Sequence, residues 1–266
     1  MTNPMEILRN NKDSIANTII VATFVSLFCA VLVSATAVLL KPKYVANRLY
    51  HGKHKNVIRL IDSIQPVADI EKVLTHLQIK FVDLHSGNYV EGLDPATFDV
   101  HEMSKDPEQS IAIPEEFDIA GIGRRATIAM VYVLSENDQL KYIILPVYGQ
   151  GMWSTIYGYL ALEADANTIA GLYFYEHGET PGIGDRIEDP EWLRSWQGKQ
   201  IYAAGDPAIR ISKRKSTVDA GYTVDNISGA TVTSHAVEKM IHYWLGENGF
   251  QPFLEKVKQR ETEHEN

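Results

Sequence analysis

The chain has 266 residues, of which 45% are hydrophobic, and a formal net charge of −9 at pH 7. This length is enough for one membrane or targeting element together with one or two soluble domains. The acidic balance argues against a general nucleic-acid-binding protein, and the single cysteine, Cys29, excludes an intrachain disulfide and zinc sites built on repeated cysteines.

The first predicted element is a membrane-spanning helix that follows a short N-terminal segment, 1–17. Residues 18–40 carry no charge, and about 20 apolar residues suffice to cross a bilayer. A cleaved signal peptide is the competing interpretation, because Ser34-Ala35-Thr36-Ala37 resembles a cleavage site. The apolar run is nevertheless longer than the roughly 7–15 residues usual in signal peptides, so we predict a retained anchor.

Basic residues cluster on the C-terminal side of this span. Arg9 and Lys12 precede it, whereas six basic residues follow it: Lys41, Lys43, Arg48, Lys53, Lys55 and Arg59. By the positive-inside rule, this excess predicts that the soluble part of the chain lies in the cytoplasm.

Residues 41–64 are predicted to form a juxtamembrane helix. Its basic residues are expected to face lipid headgroups or solvent, and its apolar side consists of Val45, Leu49, Val57, Leu60 and Ile61. A plain solvated connector is the alternative for the same residues.

The next stretch, 65–126, is predicted to form a small flanking lobe or a part of the domain that follows. It has helical spacing at Asp69–Leu77, a strand-like run at Ile79–Leu84 and an acidic, aperiodic stretch from Glu91 to Gly123. Gly121-Ile122-Gly123 lacks the third glycine of a dinucleotide-binding fingerprint, so we predict a loop there.

From Thr127 onward the pattern predicts an α+β domain, 127–254, in which helices flank an antiparallel sheet. Consecutive hairpins place neighbouring strands antiparallel to each other. Four apolar runs are joined in pairs by short polar turns: Thr127–Leu134, Tyr142–Val147, Trp153–Leu162 and Thr168–His177.

Helices are predicted toward the C-terminus of this domain. Asp189 and Pro190 form a start signal, with aspartate as the cap and proline at the first helical position. Thr233–Leu245 is the clearest helix, and its buried face comprises Val237, Met240, Ile241 and Trp244. The charged tail, 255–266, is expected to fray.

Small and hydroxyl residues crowd the stretch Asp225–Ser234, immediately before the clearest helix. Small residues let the backbone approach a ligand closely, and the unpaired N–H groups at a helix N-terminus attract phosphate. The stretch therefore suits a phosphate and leaves Thr231 with a free hydroxyl. The alternative is a polar turn in which Thr233 or Ser234 caps the helix.

Two further glycine-containing loops, Tyr148–Thr155 and Glu176–Gly184, follow predicted strands. Loops carried on a rigid sheet often bind ligands, although tight turns with core aromatics explain the same residues. His177 lies close to Glu176 and Glu179, but no ligand spacing accompanies it, so we expect a surface or hydrogen-bonded histidine.

Taken together, these motifs resemble the C-type subunits of the sodium-translocating NADH:quinone reductases and, more distantly, the G-type subunits of the Rnf electron-transport complexes. The last motif resembles the flavinylation sequence Asp-x-x-Ser/Thr-Gly-Ala-Thr. The resemblance rests on the single anchor, Lys41-Pro42-Lys43, Pro146 through Leu160, His177 through Gly184, and Asp225 through Thr231.

The resemblance implies a single-pass protein of the bacterial inner membrane whose soluble FMN-binding domain faces the periplasm, against the prediction from charge. A separate flavin transferase would join FMN through a phosphoester to Thr231, within a recognition motif formed by Asp225, Ser228, Gly229 and Ala230. Electrons would pass through this FMN between an iron–sulfur centre and the FMN of the B-type subunit. NADH oxidation would belong to another part of the complex.

The resemblance also implies partners and further contacts. The partners are the other subunits of a membrane reductase complex, the transferase and membrane lipid. No residue is expected to be catalytic by itself or to bind a metal. The alternative function is that of an anchored periplasmic ligand-binding or sensor module. The remaining expected flavin contacts lie in the two glycine loops: Gly151, Trp153, Ser154, Thr155, Glu179, Thr180, Gly182, Ile183 and Gly184.

Overall fold

The structure is a computed structural model that describes residues 15–47, 53–66, 70–137, 139–212 and 219–264. Its contacts divide the chain into two units, Met1–Leu49 and Tyr50–Asn266. We describe each unit separately.

The first unit contains one long helix, α1, over Ile15–Asn47. Within it, Thr18–Thr36 is long and apolar enough to cross a membrane, and among the described residues no other helix meets this criterion. The predicted span, 18–40, lies inside α1. Arg9, Lys12 and Leu49 lie outside the described residues.

The second unit is built on a six-stranded sheet in which every pair of neighbours is antiparallel. The spatial order is β2-β1-β5-β6-β7-β8, and the predicted antiparallel sheet is confirmed. Its strands are β1 (Leu77–Asp83), β2 (Tyr89–Val90), β5 (Ile128–Glu136), β6 (Gln139–Gln150), β7 (Thr155–Glu163) and β8 (Ile169–Glu176).

Short elements and helices complete this unit. Two 3₁₀ turns lie at Gly184–Glu188 and Ala220–Tyr222. The remaining strands are β3 (Ser110–Ala112), β4 (Arg124–Ala126), β9 (Tyr202–Ala203), β10 (Asp206–Pro207), β11 (Arg210–Ser212) and β12 (Thr223–Asp225). The helices are α2 (Lys53–Ile64), α3 (Ile70–His76), α4 (Val100–Lys105), α5 (Pro190–Arg194), α6 (Thr231–Leu245) and α7 (Gln251–His264).

The strand β1 belongs to the central sheet, although the sequence places it in the flanking stretch 65–126. All seven of its residues pair with β5, from Leu77 opposite Leu134 to Asp83 opposite Ile128. This stretch therefore contributes to the main sheet, which is the second of the two arrangements predicted for it. The boundary at residues 126 and 127 stays a prediction.

The sheet is covered on both faces, which explains why its strands are continuous apolar runs. Neighbouring side chains of a strand point to opposite faces, and in β6 both Ile144 and Leu145 are fully buried. Leu145 belongs to the core cluster that includes residues of α5, α6 and α7, whereas Ile144 belongs to the cluster that includes residues of α2. Both faces thus belong to the core.

The helix α2 packs its apolar side on the sheet. Val57, Leu60 and Ile61 are fully buried, and a Cβ on Gly171 of β8 would lie 2.7 Å from Cγ1 of Ile64. The exposed Arg59 donates a hydrogen bond to the Tyr173 hydroxyl at 3.2 Å. The alternative of a plain solvated connector is therefore wrong for α2.

The two C-terminal helices follow their apolar spacing. All four core residues predicted for α6 are buried, but the helix starts at Thr231, two residues earlier than predicted. The tail, 255–266, is helical up to His264, where α7 ends, and its fraying stays a prediction. Buried apolar residues at helical spacing fix the start of α7 on the core: Phe250, which directly precedes the helix, Phe253, Leu254 and Val257.

Candidate functional site

The predicted loops meet the start of α6 at the carboxylate of Glu179. This residue lies just beyond β8 and is only 5% exposed. Its Oε1 accepts the Trp153 backbone N–H at 3.1 Å, and its Oε2 accepts the Thr233 hydroxyl at 2.5 Å. One buried side chain therefore joins the loop between β6 and β7 to the first turn of α6.

Two of the predicted glycines lie so close to the Glu179 side chain that a larger residue would not fit. A Cβ on Gly151 would lie 2.6 Å from Glu179 Oε1. A Cβ on Gly184 would lie 2.9 Å from Glu179 Cβ and 3.2 Å from Thr233 Oγ1. Such approaches are too close for a side chain, so these glycines allow the protein to pack against itself.

The loop between β6 and β7 is fixed by its own hydrogen bonds. The Gly151 N–H donates to the Ser154 carbonyl at 2.8 Å, and Ser154 Oγ accepts the Gly178 N–H at 2.6 Å. Thr155 begins β7. Between these anchors, Met152 and Trp153 are 51% and 65% exposed, so the loop presents two large apolar side chains to solvent.

The loop after β8 turns back on the carbonyl of Thr180. That carbonyl accepts the N–H groups of Ile183 and Gly184 at 3.1 and 2.9 Å. Gly182 has a φ of +77°, a conformation that side chains other than glycine rarely adopt. Ile183, which precedes the buried Gly184, is 49% exposed.

The backbone of the stretch before α6 is held by two side chains that donate hydrogen bonds to its carbonyl groups. Trp192 Nε1 donates to the Asp225 carbonyl at 2.8 Å, and Arg186 Nη1 donates to the Ser228 carbonyl at 3.2 Å. Gly229 has a φ of +87° with open space around it, and Ala230 is buried. The backbone is thus fixed while the side chains of Asp225 and Ser228 are exposed.

Thr231 is the first residue of α6 and is half-buried. No side-chain hydrogen bond caps this helix N-terminus. Ser234 lies inside the first turn, where its hydroxyl donates to the Ala230 carbonyl at 2.9 Å. The predicted alternative, a polar turn capped by Thr233 or Ser234, is therefore wrong.

The residue His177 is hydrogen-bonded, as predicted. Its Nε2 lies 3.1 Å from Glu188 Oε1, and its Nδ1 accepts the Glu179 N–H at 3.3 Å. Within the described ranges, no group of three or more His, Cys, Asp or Glu side chains could hold a metal ion.

Comparison with known proteins assigns this site to a family. Residues 151–246 match the model of the FMN-binding domain. The chain is 41% identical over 255 residues to the C-type subunit of the Na(+)-translocating NADH-quinone reductase of Yersinia pestis, covering 94% of this chain and 95% of that protein. The protein of the same name from Pseudomonas aeruginosa is 39% identical over 260 residues, covering 95% and 99%.

The chain belongs to this family of reductase subunits. The predicted resemblance is confirmed. The structure is also similar to the crystal structure of Shewanella oneidensis NqrC, with a TM-score of 0.72 and 34% identity over 79% of this chain and 99% of that one. For the C-type subunit from Parabacteroides distasonis, the TM-score is 0.60 and the identity is 27%, with 81% and 96% covered. The predicted fold class is confirmed.

Several long-range contacts at this site cannot be predicted from the sequence. Thr233 and Arg186 make long-range contacts across 54 and 42 residues of chain, and Trp192 reaches across 33. Val232 could have been recognised as an exposed residue of the site, because it is an apolar residue between two threonines at a helix start. It is 58% exposed.

The residues present fit an FMN group. The uncapped first turn of α6 has N–H groups without intrahelical acceptors, which suits a phosphate. The open turn at Gly229 leaves room beside Thr231. Four exposed apolar side chains lie on the connected loops and helix start, where a flat aromatic ring could pack: Met152, Trp153, Ile183 and Val232.

Proposed function

We propose that this chain is the FMN-carrying, electron-transferring NqrC subunit of a Na⁺-translocating NADH-quinone reductase, with the FMN joined by a phosphoester to Thr231. One observation carries the attachment site: Thr231 opens α6 at an uncapped helix N-terminus, directly after the open turn at Gly229. The family and its FMN-binding domain support the cofactor.

The electrostatics of this helix start favour a bound phosphoester. The aligned peptide dipoles of α6 place partial positive charge at its N-terminus, beside the Thr231 hydroxyl. Arg186 adds a guanidinium on the Ser228 carbonyl, three residues before Thr231. Both features stabilise negative charge at this position.

FMN, when bound, supplies the redox chemistry, and the protein's part is to hold it. We assign the phosphate to Thr231 and the first turn of α6, and the ring to the exposed apolar side chains Met152, Trp153, Ile183 and Val232. Glu179 holds the loop of Trp153 against α6. Asp225, Ser228, Gly229 and Ala230 present the recognition motif for a flavin transferase. NADH oxidation and the sodium path are assigned to other subunits of the complex.

The membrane arrangement is also part of the proposal. We infer that α1 anchors the chain in the bacterial inner membrane and that the FMN domain faces the periplasm, where a covalent tether prevents loss of free FMN. Lys41 and Lys43, next to the span, are assigned to lipid headgroups or partner subunits. Arg59, another of the basic residues after the span, donates a hydrogen bond to the Tyr173 hydroxyl. Because it has this structural role, we do not count its charge as a sign of topology. A reporter enzyme fused after Asn266 tests the orientation, and cytoplasmic activity of the reporter would refute it.

The decisive experiment is co-expression of the full chain with a flavin transferase, followed by a denaturing gel viewed by flavin fluorescence. We expect a fluorescent band at the mass of the chain, complete loss of the band in Thr231→Ala, and retention in Thr233→Ala. A non-fluorescent wild-type band despite an active transferase would refute the proposal. It would favour an anchored ligand-binding or sensor module instead.

A further inference from the structure

The loop 113–123, between β3 and β4, holds two large apolar side chains in solvent. Phe117 is 51% exposed and Ile119 is 46% exposed. Placing such side chains in water is unfavourable by about 25 cal/mol for each Å² that could be buried instead. Two such side chains on one short loop make it a candidate docking surface.

This loop is rigidly built around Asp118, which lies between the two apolar residues. The Asp118 carboxylate accepts the N–H groups of Ile122 and Gly123, both at 2.7 Å. The Phe117 N–H and the Asp118 N–H donate to the Pro114 carbonyl at 2.9 and 3.0 Å. These hydrogen bonds fix the backbone of the loop that carries the two exposed side chains.

The loop is tied to the strand that leads into the FMN site. The Gln150 N–H, at the end of β6, donates to the Ala120 carbonyl at 2.7 Å. Met152 and Trp153 follow two and three residues later. Among the described residues of Tyr50–Asn266, ten large apolar side chains are exposed, and six belong to this linked set: Phe117, Ile119, Met152, Trp153, Ile183 and Val232.

We propose that Phe117 and Ile119 dock another subunit of the reductase at an apolar groove that is rimmed by Lys or Arg. This rests on the proposed function, which requires electron partners to approach the face that carries the flavin. Glu115 and Glu116, both exposed, come just before Phe117, and 113–123 contains no basic residue. An acidic rim repels anionic lipid headgroups and complements a basic protein surface, which also steers its approach.

Photo-cross-linking in the assembled complex tests this assignment. The full chain would be expressed with the other subunits and the transferase, with Phe117→p-benzoylphenylalanine in one sample and Leu93→p-benzoylphenylalanine in another. Leu93 is an exposed apolar residue at 36% on a different loop. After irradiation, mass spectrometry identifies the cross-linked peptide. We expect a peptide of another subunit from position 117, in at least about tenfold higher yield than from position 93.

The acidic rim is tested in the same Phe117 sample. Glu115→Lys with Glu116→Lys should lower the cross-linking yield by about fivefold or more, because like charges then face each other. Cross-links from position 117 only to lipid, equal yields from positions 117 and 93, or a yield insensitive to this charge reversal would each overturn the docking assignment. The flavin fluorescence of the same chain, on a gel, separates the two proposals. A fluorescent chain without the cross-link refutes docking alone, whereas a cross-linked chain without fluorescence supports docking and refutes flavinylation.

Discussion

The two threonines at the start of α6 have opposite surroundings. Thr233 is 2% exposed and donates to Glu179, whereas Thr231 is half-buried at the first helical position. Residues two apart on an α-helix point about 200° apart around its axis. Thr233 therefore makes a contact within the protein on one side of the helix, whereas the Thr231 hydroxyl on the other side is available to a ligand.

This contrast extends to the whole site. Its floor, defined as Gly151, Glu179, Gly184 and Thr233, consists of residues packed or hydrogen-bonded to one another. Its rim, defined as Met152, Trp153, Ile183 and Val232, consists of exposed apolar side chains. We expect changes in the floor to affect the free energy of unfolding, and changes in the rim to leave it nearly unaltered.

Removal of the floor carboxylate should have the largest effect on stability. Glu179→Ala leaves the Trp153 N–H and the Thr233 hydroxyl without their acceptor and opens a small void, which together should lower the free energy of unfolding by about 2–4 kcal/mol. Chemical denaturation of the detergent-solubilised chain measures this through the buried Trp192, Trp196 and Trp244. The exposed Glu191→Ala is the control. Equal stability of the two variants would refute the contrast between floor and rim.

A methyl group at the floor should be the next most damaging change. In Gly184→Ala the new Cβ meets Glu179 Cβ at 2.9 Å and Thr233 Oγ1 at 3.2 Å. Neither atom can move without disturbing the hydrogen bond between those residues, so a loss of about 1–3 kcal/mol is expected in the same denaturation. Gly221→Ala, whose Cβ would meet no atom within 4 Å, should change stability little. A neutral Gly184→Ala would show that the floor tolerates expansion.

Most of the fold follows from local patterns. The apolar runs bounded by polar turns predict β5 to β8, and helical spacing predicts the core face of α6, because each signal lies within one element. The position of β1 next to β5 does not follow, since that pairing joins residues about fifty positions apart. The strands β9 to β12 have two or three residues each, too few for an alternation to be recognised.

The candidate site is only partly visible in the sequence. Its three stretches stand out by their glycines and hydroxyls, but the carboxylate that joins them does not. The family resemblance makes Glu179 a flavin contact, and nothing local to it indicates that Thr233, 54 residues away, is its partner. Glycines such as Gly151 and Gly184 are expected to admit a ligand, whereas the structure places these two against Glu179. Local sequence shows which residues are unusual, and tertiary contacts show what they touch.

Loss of the hydroxyl at position 233 should have a moderate effect. Thr233→Val keeps the shape of the side chain and removes the donor to Glu179 Oε2, so the free energy of unfolding should fall by about 1–2 kcal/mol. Thr233→Ser keeps the hydroxyl and should recover part of the loss. The valine and serine variants would be compared by chemical denaturation, and equal stabilities would mean that the hydrogen bond to Glu179 contributes nothing.

A polar change in the rim should have the smallest effect. Val232 is 58% exposed and Val237 is fully buried, although both lie on α6. Val232→Ser should change the free energy of unfolding by no more than about 0.5 kcal/mol, and the flavin band on the gel should persist because Thr231 is untouched. The identical change at the core face, Val237→Ser, should cost several times more, since it opens a cavity and buries a hydroxyl. If Val232→Ser proved as destabilising as Val237→Ser, then Val232 would have to pack within the unit, and the rim would no longer be available to an aromatic ring.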